Sequence, residues 1–170
     1  MKKKIGILGA ESTGKSTLAK QLAEHFSGIY IKEYAREYVE ALNHPYTERD
    51  VETIARRQIE ELSEQYDADY IFFDTELIIT KVWFQDKYGT VPEWLEEAML
   101  TLRPDFCLLL MPDLRFVDDP VRENPHRREY LTRLYESELK LYSIPYTCIS
   151  GYGDKRLQYA IRAIENVACK

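Results

Sequence analysis

Short apolar runs bounded by turn residues predict five buried strands in this chain of 170 residues. The runs lie at residues 4–8, 29–31, 70–73, 106–111 and 146–149, and most of them show no alternation with polar residues. Unalternating apolar runs are typical of strands that are covered on both faces. We therefore expect a parallel sheet that lies between two layers of helices.

Helical patterns separate the predicted strands. Apolar side chains recur every three or four residues in four segments, which is the spacing of one face of a helix. The four sets are Leu18, Leu22 and Phe26; Val51, Ile54, Ala55 and Leu62; Leu131, Leu134, Tyr135 and Leu139; and Leu157, Ile161, Ile164 and Ala168. Thr47 with Asp50 three residues later predicts a capping box. The alternation predicts an α/β three-layer sandwich whose loops after the strands share one edge.

Composition and charge narrow the classes of protein that fit. The length and a hydrophobic fraction of 45% predict one domain over residues 1–170. A formal charge of -6 and a pI near 5.2 argue against a protein that binds nucleic acid, because that task needs a basic surface. The three cysteines lack the paired spacing of a metal site or a disulfide framework, so we expect free thiols in a reducing compartment.

The lysine-rich start of the chain resembles a signal peptide only superficially. The apolar run that follows the lysines ends at Glu11, which makes it too short for the apolar region of a secretory signal. The sequence also contains no apolar stretch as long as a membrane span. We therefore expect a cytoplasmic protein with no membrane partner.

Residues 9–16, GAESTGKS, match the phosphate-binding P-loop pattern G-x-x-x-x-G-K-[ST]. The match lies after a predicted strand and before a predicted helix, as the motif requires. Backbone N–H groups and the start of the helix attract phosphate oxygens there. We expect Lys15 to reach the β- and γ-phosphates of ATP and the Ser16 hydroxyl to bind magnesium. The predicted ATP-binding residues of this segment are Gly9, Glu11, Ser12, Thr13, Gly14, Lys15, Ser16 and Thr17.

Two carboxylates follow other predicted strands and therefore reach the same edge of the sheet. Asp74 ends the run 70–73, where P-loop proteins place the acid that holds magnesium or its water. A helix N-cap is the alternative interpretation of Asp74. Glu33 follows the second strand and could orient or deprotonate an acceptor hydroxyl, or it could be a solvated acid at a helix start. Arg36 is either a substrate anchor or part of a surface ion pair.

The segment at about 113–128 has the composition of an arginine-containing lid. It carries Arg122, Arg127 and Arg128, and its prolines prevent one continuous helix. Arginines on a closing loop neutralise the charge that spreads over a transferred phosphoryl group. We expect Arg122 and Arg127 to be catalytic, and the whole pattern then predicts a small-molecule kinase. Three aromatic residues are interpreted as packing residues: Trp83, Tyr88 and Trp94.

These motifs together resemble the ribosylnicotinamide kinase domain of NadR-type bifunctional NAD-biosynthesis proteins. The resemblance covers nearly the whole chain and rests on GAESTGKST at 9–17, EYAREYV at 33–39, FFDTELIIT at 72–80, RPDFCLLL at 103–110, and the final strand and helix joined by residues 151–156. It implies transfer of the ATP γ-phosphate to the 5′-hydroxyl of nicotinamide riboside with magnesium, and it implies that the loop 151–156, with Arg156 as an ATP-binding residue, lies against the adenine. The acceptor contacts that it implies are Glu33, Tyr34, Arg36, Asp74 and Glu76.

Other functions remain open on the sequence. Lys32 stands where the family pattern has a tryptophan, so the acceptor could be another nucleoside or another small metabolite. A nucleotide-dependent regulatory module is a further alternative. A GTPase is disfavoured, because the chain has no N-K-x-D motif and the residues after Asp74 lack the glycine of D-x-x-G.

Overall fold

A computed structural model of the chain describes residues 2–117 and 126–168, with nothing said of the Ala168 side chain. Its five strands form one parallel sheet in the order β2-β3-β1-β4-β5. The strands are β1 (Lys3–Gly9), β2 (Ile29–Ile31), β3 (Tyr70–Asp74), β4 (Phe106–Leu110) and β5 (Tyr146–Ile149). All five strands of the sequence prediction are therefore confirmed, with ends that differ by one residue at most.

Seven helices connect or follow the strands in the described part of the chain. They are α1 (Lys15–His25), α2 (Tyr34–Glu40), α3 (Glu48–Ser63), α4 (Leu77–Tyr88), α5 (Glu93–Thr101), α6 (Arg128–Leu141) and α7 (Gly153–Ala168). The four predicted helical patterns correspond to α1, α3, α6 and α7. Helices α2, α4 and α5 were not predicted as separate elements. Helix α4 is buried along most of its length, so its apolar residues do not form one narrow stripe.

The sheet separates two apolar clusters. On one face, Ile5 and Ile7 of β1 pack with residues of α1 and α7. On the other face, Leu8 of β1 packs with residues of α3, α4, α5 and α6. Burial on both faces explains why the strands lack polar alternation, and it confirms the three-layer α/β fold.

Two polar contacts fix helices on the face of the sheet that carries α3, α4 and α6. The Asp50 carboxylate accepts hydrogen bonds from the backbone N–H and the hydroxyl of Thr47, both at 2.7 Å, at the predicted capping box. Between α4 and α6, the buried Lys81 ammonium lies 2.6 Å from the Glu138 carboxylate. This ion pair joins α4 and α6, and residues of both helices line the main cavity.

The residues that the structure describes contain no helix with the length and apolar character needed to cross a membrane. Two of the three cysteines fall in this part of the chain, and both are free thiols: Cys107 is buried and Cys148 is exposed. Cys169 lies outside the described residues.

Candidate active site

The P-loop joins β1 to α1 and has the close backbone packing that its glycines allow. A Cβ at Gly9 would lie 2.5 Å from the Thr13 hydroxyl oxygen, and Gly14 has a left-handed φ of 80° where the loop enters α1. The Thr13 hydroxyl donates to the Ala10 carbonyl at 2.8 Å. The loop is thus held closed by its own short contacts, and the first N–H groups of α1 are left without intrahelical acceptors.

Lys15 lies across the P-loop. Its ammonium donates to the carbonyl oxygens of Gly9 at 3.0 Å and Ala10 at 3.2 Å. Both acceptors are neutral carbonyl oxygens, so these two contacts do not pair the ammonium with an opposite charge. That arrangement is suited to the oxygens of a polyphosphate.

The P-loop forms one end of a cavity of about 310 Å³. The lining residues at this end include every predicted ATP-binding residue of the loop, from Gly9 and Glu11 through Thr17. The rest of the lining, called the acceptor end below, comes from α2, α4, α6 and the loops before α2 and α3. Its lining residues are Glu33, Ala35, Arg36, Val39, Tyr46, Ile79, Val82, Trp83, Asp86, Leu131 and Tyr135.

Asp74 ends β3 beside the P-loop with only 1% of its surface exposed. Its Oδ2 accepts a hydrogen bond from the Tyr30 hydroxyl at 2.9 Å, whereas the buried Oδ1 has no hydrogen-bond partner among the described residues. A buried carboxylate oxygen without a donor fits a cation or its water, and the exposed Ser16 hydroxyl offers a second hard oxygen. These two residues therefore fit magnesium, whose other ligands would be phosphate oxygens and water.

Glu33 begins the acceptor end of the cavity. It precedes α2, and its carboxylate accepts a hydrogen bond from the Thr75 hydroxyl at 3.3 Å. Burial raises the pKa of Glu33 above its ordinary value, although the charge of Lys15 acts in the opposite direction. Glu33 thus lines the cavity with Lys15 from the N-terminus of α2, and its role toward an acceptor hydroxyl stays a prediction.

The other predicted acceptor residues fall in different places. Arg36 lines the cavity and pairs with Glu40 at 2.9 Å, so the ion pair is observed and the substrate anchor stays a prediction. Among the described residues, the cavity lining does not include Tyr34 or Glu76. Tyr34 packs its ring 5.7 Å from that of Tyr38.

Glu76 has a structural position. Its side chain caps α4 by accepting from the Ile78 N–H at 3.1 Å, and only 2% of the residue is exposed. Burial raises the pKa of Glu76 to about 8. The predicted acceptor contact at Glu76 is therefore corrected: the carboxyl group lies in the core beneath β1, because the turn after Asp74 directs it away from the cavity.

The predicted lid is described only at its two ends. Arg122 lies outside the described residues, as does the rest of 118–125. Arg127 forms a two-bond ion pair with Asp86 of α4, with both nitrogen-to-oxygen distances at 2.7 Å. Arg128 donates to the Leu114 carbonyl at 2.8 Å. Arg127 is thus anchored on a residue of the acceptor end of the cavity.

Arg156 lies behind the P-loop. Its guanidinium group donates to the Thr13 carbonyl and to the Asp113 carboxylate, and the residue is 5% exposed. The described cavity lining does not include it. The terminal nitrogens of this side chain are bound to protein acceptors, and the expected contact between Arg156 and ATP stays a prediction.

Sequence reasoning missed most of the acceptor end. Trp83 was interpreted as a packing residue; it does pack against the core, but it also lines the cavity, and its Nε1 donates to the Tyr46 hydroxyl at 3.1 Å. The rings of Tyr46 and Trp83 meet edge to face with centroids 4.9 Å apart. Asp86 and Tyr135 also line this end. The only sequence signal for Asp86 is its helical spacing of three from Trp83, and recognising it would have required predicting α4.

The fold and the phosphate-binding loop define a P-loop NTPase α/β domain. The comparison with family models agrees, since residues 4–156 match the model of AAA_28, described as an AAA domain. The chain belongs to this AAA domain family. Its resemblance to NadR-type proteins is also confirmed at the level of sequence: it is 27% identical over 141 residues to the trifunctional NAD biosynthesis/regulator protein NadR of Escherichia coli (strain K12).

The match with the E. coli protein covers 78% of this chain and 34% of the relative. The chain thus spans about a third of the length of the curated NadR proteins that it matches. A NadR protein solved in complex with NR superposes with a TM-score of 0.82 at 23% identity, covering 98% of this chain and 51% of that one. A deoxyadenosine kinase from M. mycoides superposes with a TM-score of 0.67 at 15% identity, covering 96% of this chain and 99% of that one. These structures share the fold.

Proposed function

We propose that this chain is an ATP-dependent kinase that transfers the γ-phosphate to a hydroxyl of a nucleoside. The observation that carries the proposal is that one cavity is lined both by the phosphate-binding loop and by the Glu33 carboxylate. A donor site and an acceptor site that open into the same space suit direct transfer between two bound molecules. A regulatory nucleotide-binding module has no need of the second site.

The residues divide the chemistry between them. Lys15 and the P-loop N–H groups would bind the ATP phosphates, and Ser16 and Asp74 would hold magnesium. Magnesium, when bound, would neutralise charge on the phosphate oxygens. Glu33 would accept the proton of the acceptor hydroxyl, and its raised pKa makes it a stronger base than an exposed glutamate. The Thr75 hydroxyl would orient this carboxylate.

The charges at the acceptor end support an acceptor without a phosphate group. Arg36 is paired with Glu40, and Arg127 is paired with Asp86. The Asp86–Arg127 pair adds no net positive charge, and the Glu33 carboxylate faces the cavity and would repel a phosphorylated acceptor. A nucleoside fits this end better than a nucleotide or a sugar phosphate does.

The aromatic residues support an acceptor with a flat base. Trp83 and Tyr46 line the cavity and supply ring surface to it. Lys32, which stands where the family pattern has a tryptophan, is exposed and paired with Glu37 and supplies no ring. Flat apolar surfaces bind aromatic rings through stacking or edge contacts. Together with the NadR relatives and the NadR structure with NR, these contacts support nicotinamide riboside as the specific acceptor and a role in NAD biosynthesis.

The test is ADP release from purified protein with magnesium, ATP and a panel of nucleosides. We expect nicotinamide riboside to stimulate ADP release at least tenfold above the rate without acceptor, with a phosphorylated ribonucleoside as product. If only another nucleoside stimulates ADP release, the kinase proposal stands and that nucleoside replaces nicotinamide riboside as the proposed acceptor. If ATP is hydrolysed slowly and no acceptor accelerates the reaction, the kinase proposal is wrong.

A further inference from the structure

Arg156 of α7 uses both terminal nitrogens to join four parts of the fold. Nη1 donates to the Asp113 carboxylate at 2.7 Å and to the Gly151 carbonyl at 2.9 Å. Nη2 donates to the carbonyl oxygens of Thr13 at 2.9 Å and Met111 at 3.1 Å. The acceptors belong to the P-loop, the end of β4, the segment after it and the loop before α7.

The guanidinium group is itself held in a fixed orientation. The Asp113 carboxylate binds Arg156 through Oδ1 and accepts the Gly151 N–H through Oδ2, both at 2.7 Å. The Tyr152 hydroxyl donates to the Asp113 backbone carbonyl at 2.6 Å. A planar guanidinium fixed from several sides in this way is a rigid donor.

The bond to the Thr13 carbonyl determines where the next N–H points. A trans peptide is planar, and its C=O points opposite to the N–H of the following residue. Fixing the Thr13 carbonyl toward the buried Arg156 therefore directs the Gly14 N–H away from Arg156. Thr13 and Gly14 both line the cavity, so the N–H is presented on the side where phosphates would bind.

We propose that Arg156 is a positioning residue for the phosphate-binding loop. It acts through the peptide between Thr13 and Gly14, holding the carbonyl back so that the Gly14 N–H is oriented before a nucleotide arrives. Preorganised donors bind more tightly because less ordering is left to occur on binding. This inference rests on the proposed function only in requiring that the loop binds a nucleotide.

The first test measures Mg-ATP affinity by titration calorimetry for Arg156→Lys. Lysine keeps the charge but cannot bind all four acceptors as a planar fork does. We expect affinity to fall about tenfold and KM for ATP to rise with little change in kcat, because the Gly14 contact exists before and during transfer. Arg162→Lys, on an exposed position of the same helix, is the matched control and should match wild type. Unchanged affinity in a folded Arg156→Lys protein would overturn the inference.

A second measurement uses the wild-type protein and does not depend on a variant that folds. Amide and guanidinium nitrogen NMR signals are followed as the non-hydrolysable analogue AMP-PNP is added with magnesium. We expect the Gly14 amide to shift strongly and the Arg156 guanidinium to shift much less. Equal shifts would make Arg156 a direct ligand and overturn the inference. If the wild-type protein binds no nucleotide at all, the proposed function fails as well.

Discussion

The two ends of the cavity are built in different ways. The phosphate end is one continuous loop whose backbone provides the donors, and its carbonyls are held by Lys15 and Arg156. The acceptor end is made of side chains from α2, α4, α6 and the loops before α2 and α3. A common ligand group can be bound by backbone, whereas a particular acceptor needs a particular set of side chains. Variants at the two ends should therefore fail in different ways.

Lys15→Ala should have the largest effect. Removal of the ammonium leaves the β- and γ-phosphates without their charged partner, and turnover should fall at least about 100-fold with any acceptor. Steady-state ADP release measures it, and circular dichroism should show an unchanged fold. Lys20→Ala, on an exposed position of α1, is the control. Residual turnover near the wild-type rate would remove Lys15 from the phosphate site.

Glu33→Gln should show that the acceptor end and the phosphate end of the cavity have separate functions. The amide cannot accept the hydroxyl proton, so kcat should fall about 100-fold while ATP affinity stays the same. The measurement combines kcat with calorimetry of ATP binding. Glu37→Gln, on the exposed side of α2, should behave as wild type. A parallel loss of ATP affinity in Glu33→Gln would move its role to the phosphate end.

Trp83→Leu should affect the acceptor alone. Leucine keeps the packing apolar but removes the flat ring, and we expect acceptor KM to rise about tenfold, or roughly 1.4 kcal/mol, with ATP KM unchanged. Trp94→Leu is the matched control, because that ring packs 4.2 Å from the Arg56 guanidinium on the surface of α3 and α5. An equal rise in the control would show that general loosening, not ring contact, is responsible.

Glu76→Gln tests a buried carboxyl group that lines neither end of the cavity. Because burial raises its pKa to about 8, the folded state keeps a proton that the unfolded state releases above about 4.5. Wild-type stability should thus decrease as pH rises from 5 to 8, and the glutamine variant should lack this part of the decrease. We expect the Tm difference between the two proteins to change by roughly 5 °C over that range. Glu97→Gln, exposed on α5, should follow wild type.

The same contrast explains what the sequence could predict. The P-loop is a local pattern of eight residues with four restricted positions, so residues 9–16 alone identified the loop and its lysine. Asp74 and Glu33 were predicted because parallel strands bring their carboxyl ends to one edge. Trp83, Asp86 and Tyr46 come together only through the packing of α4 against its neighbours, and α4 lacks the periodicity that announces a surface helix. Glu76 was misplaced because Thr75 before it has a left-handed φ of 74°, a backbone feature that the pattern of apolar residues does not predict.

The ion pair between Lys81 and Glu138 fixes the spacing of α4 and α6 from inside the protein, away from the residues that would contact an acceptor. Substitutions at Trp83 or Tyr135 can then alter the shape of the cavity without changing the frame that holds its walls. Single substitutions in the cavity lining would then change which acceptor binds while α4 and α6 keep their spacing. The phosphate-binding loop, which lines the other part of the cavity, would not change.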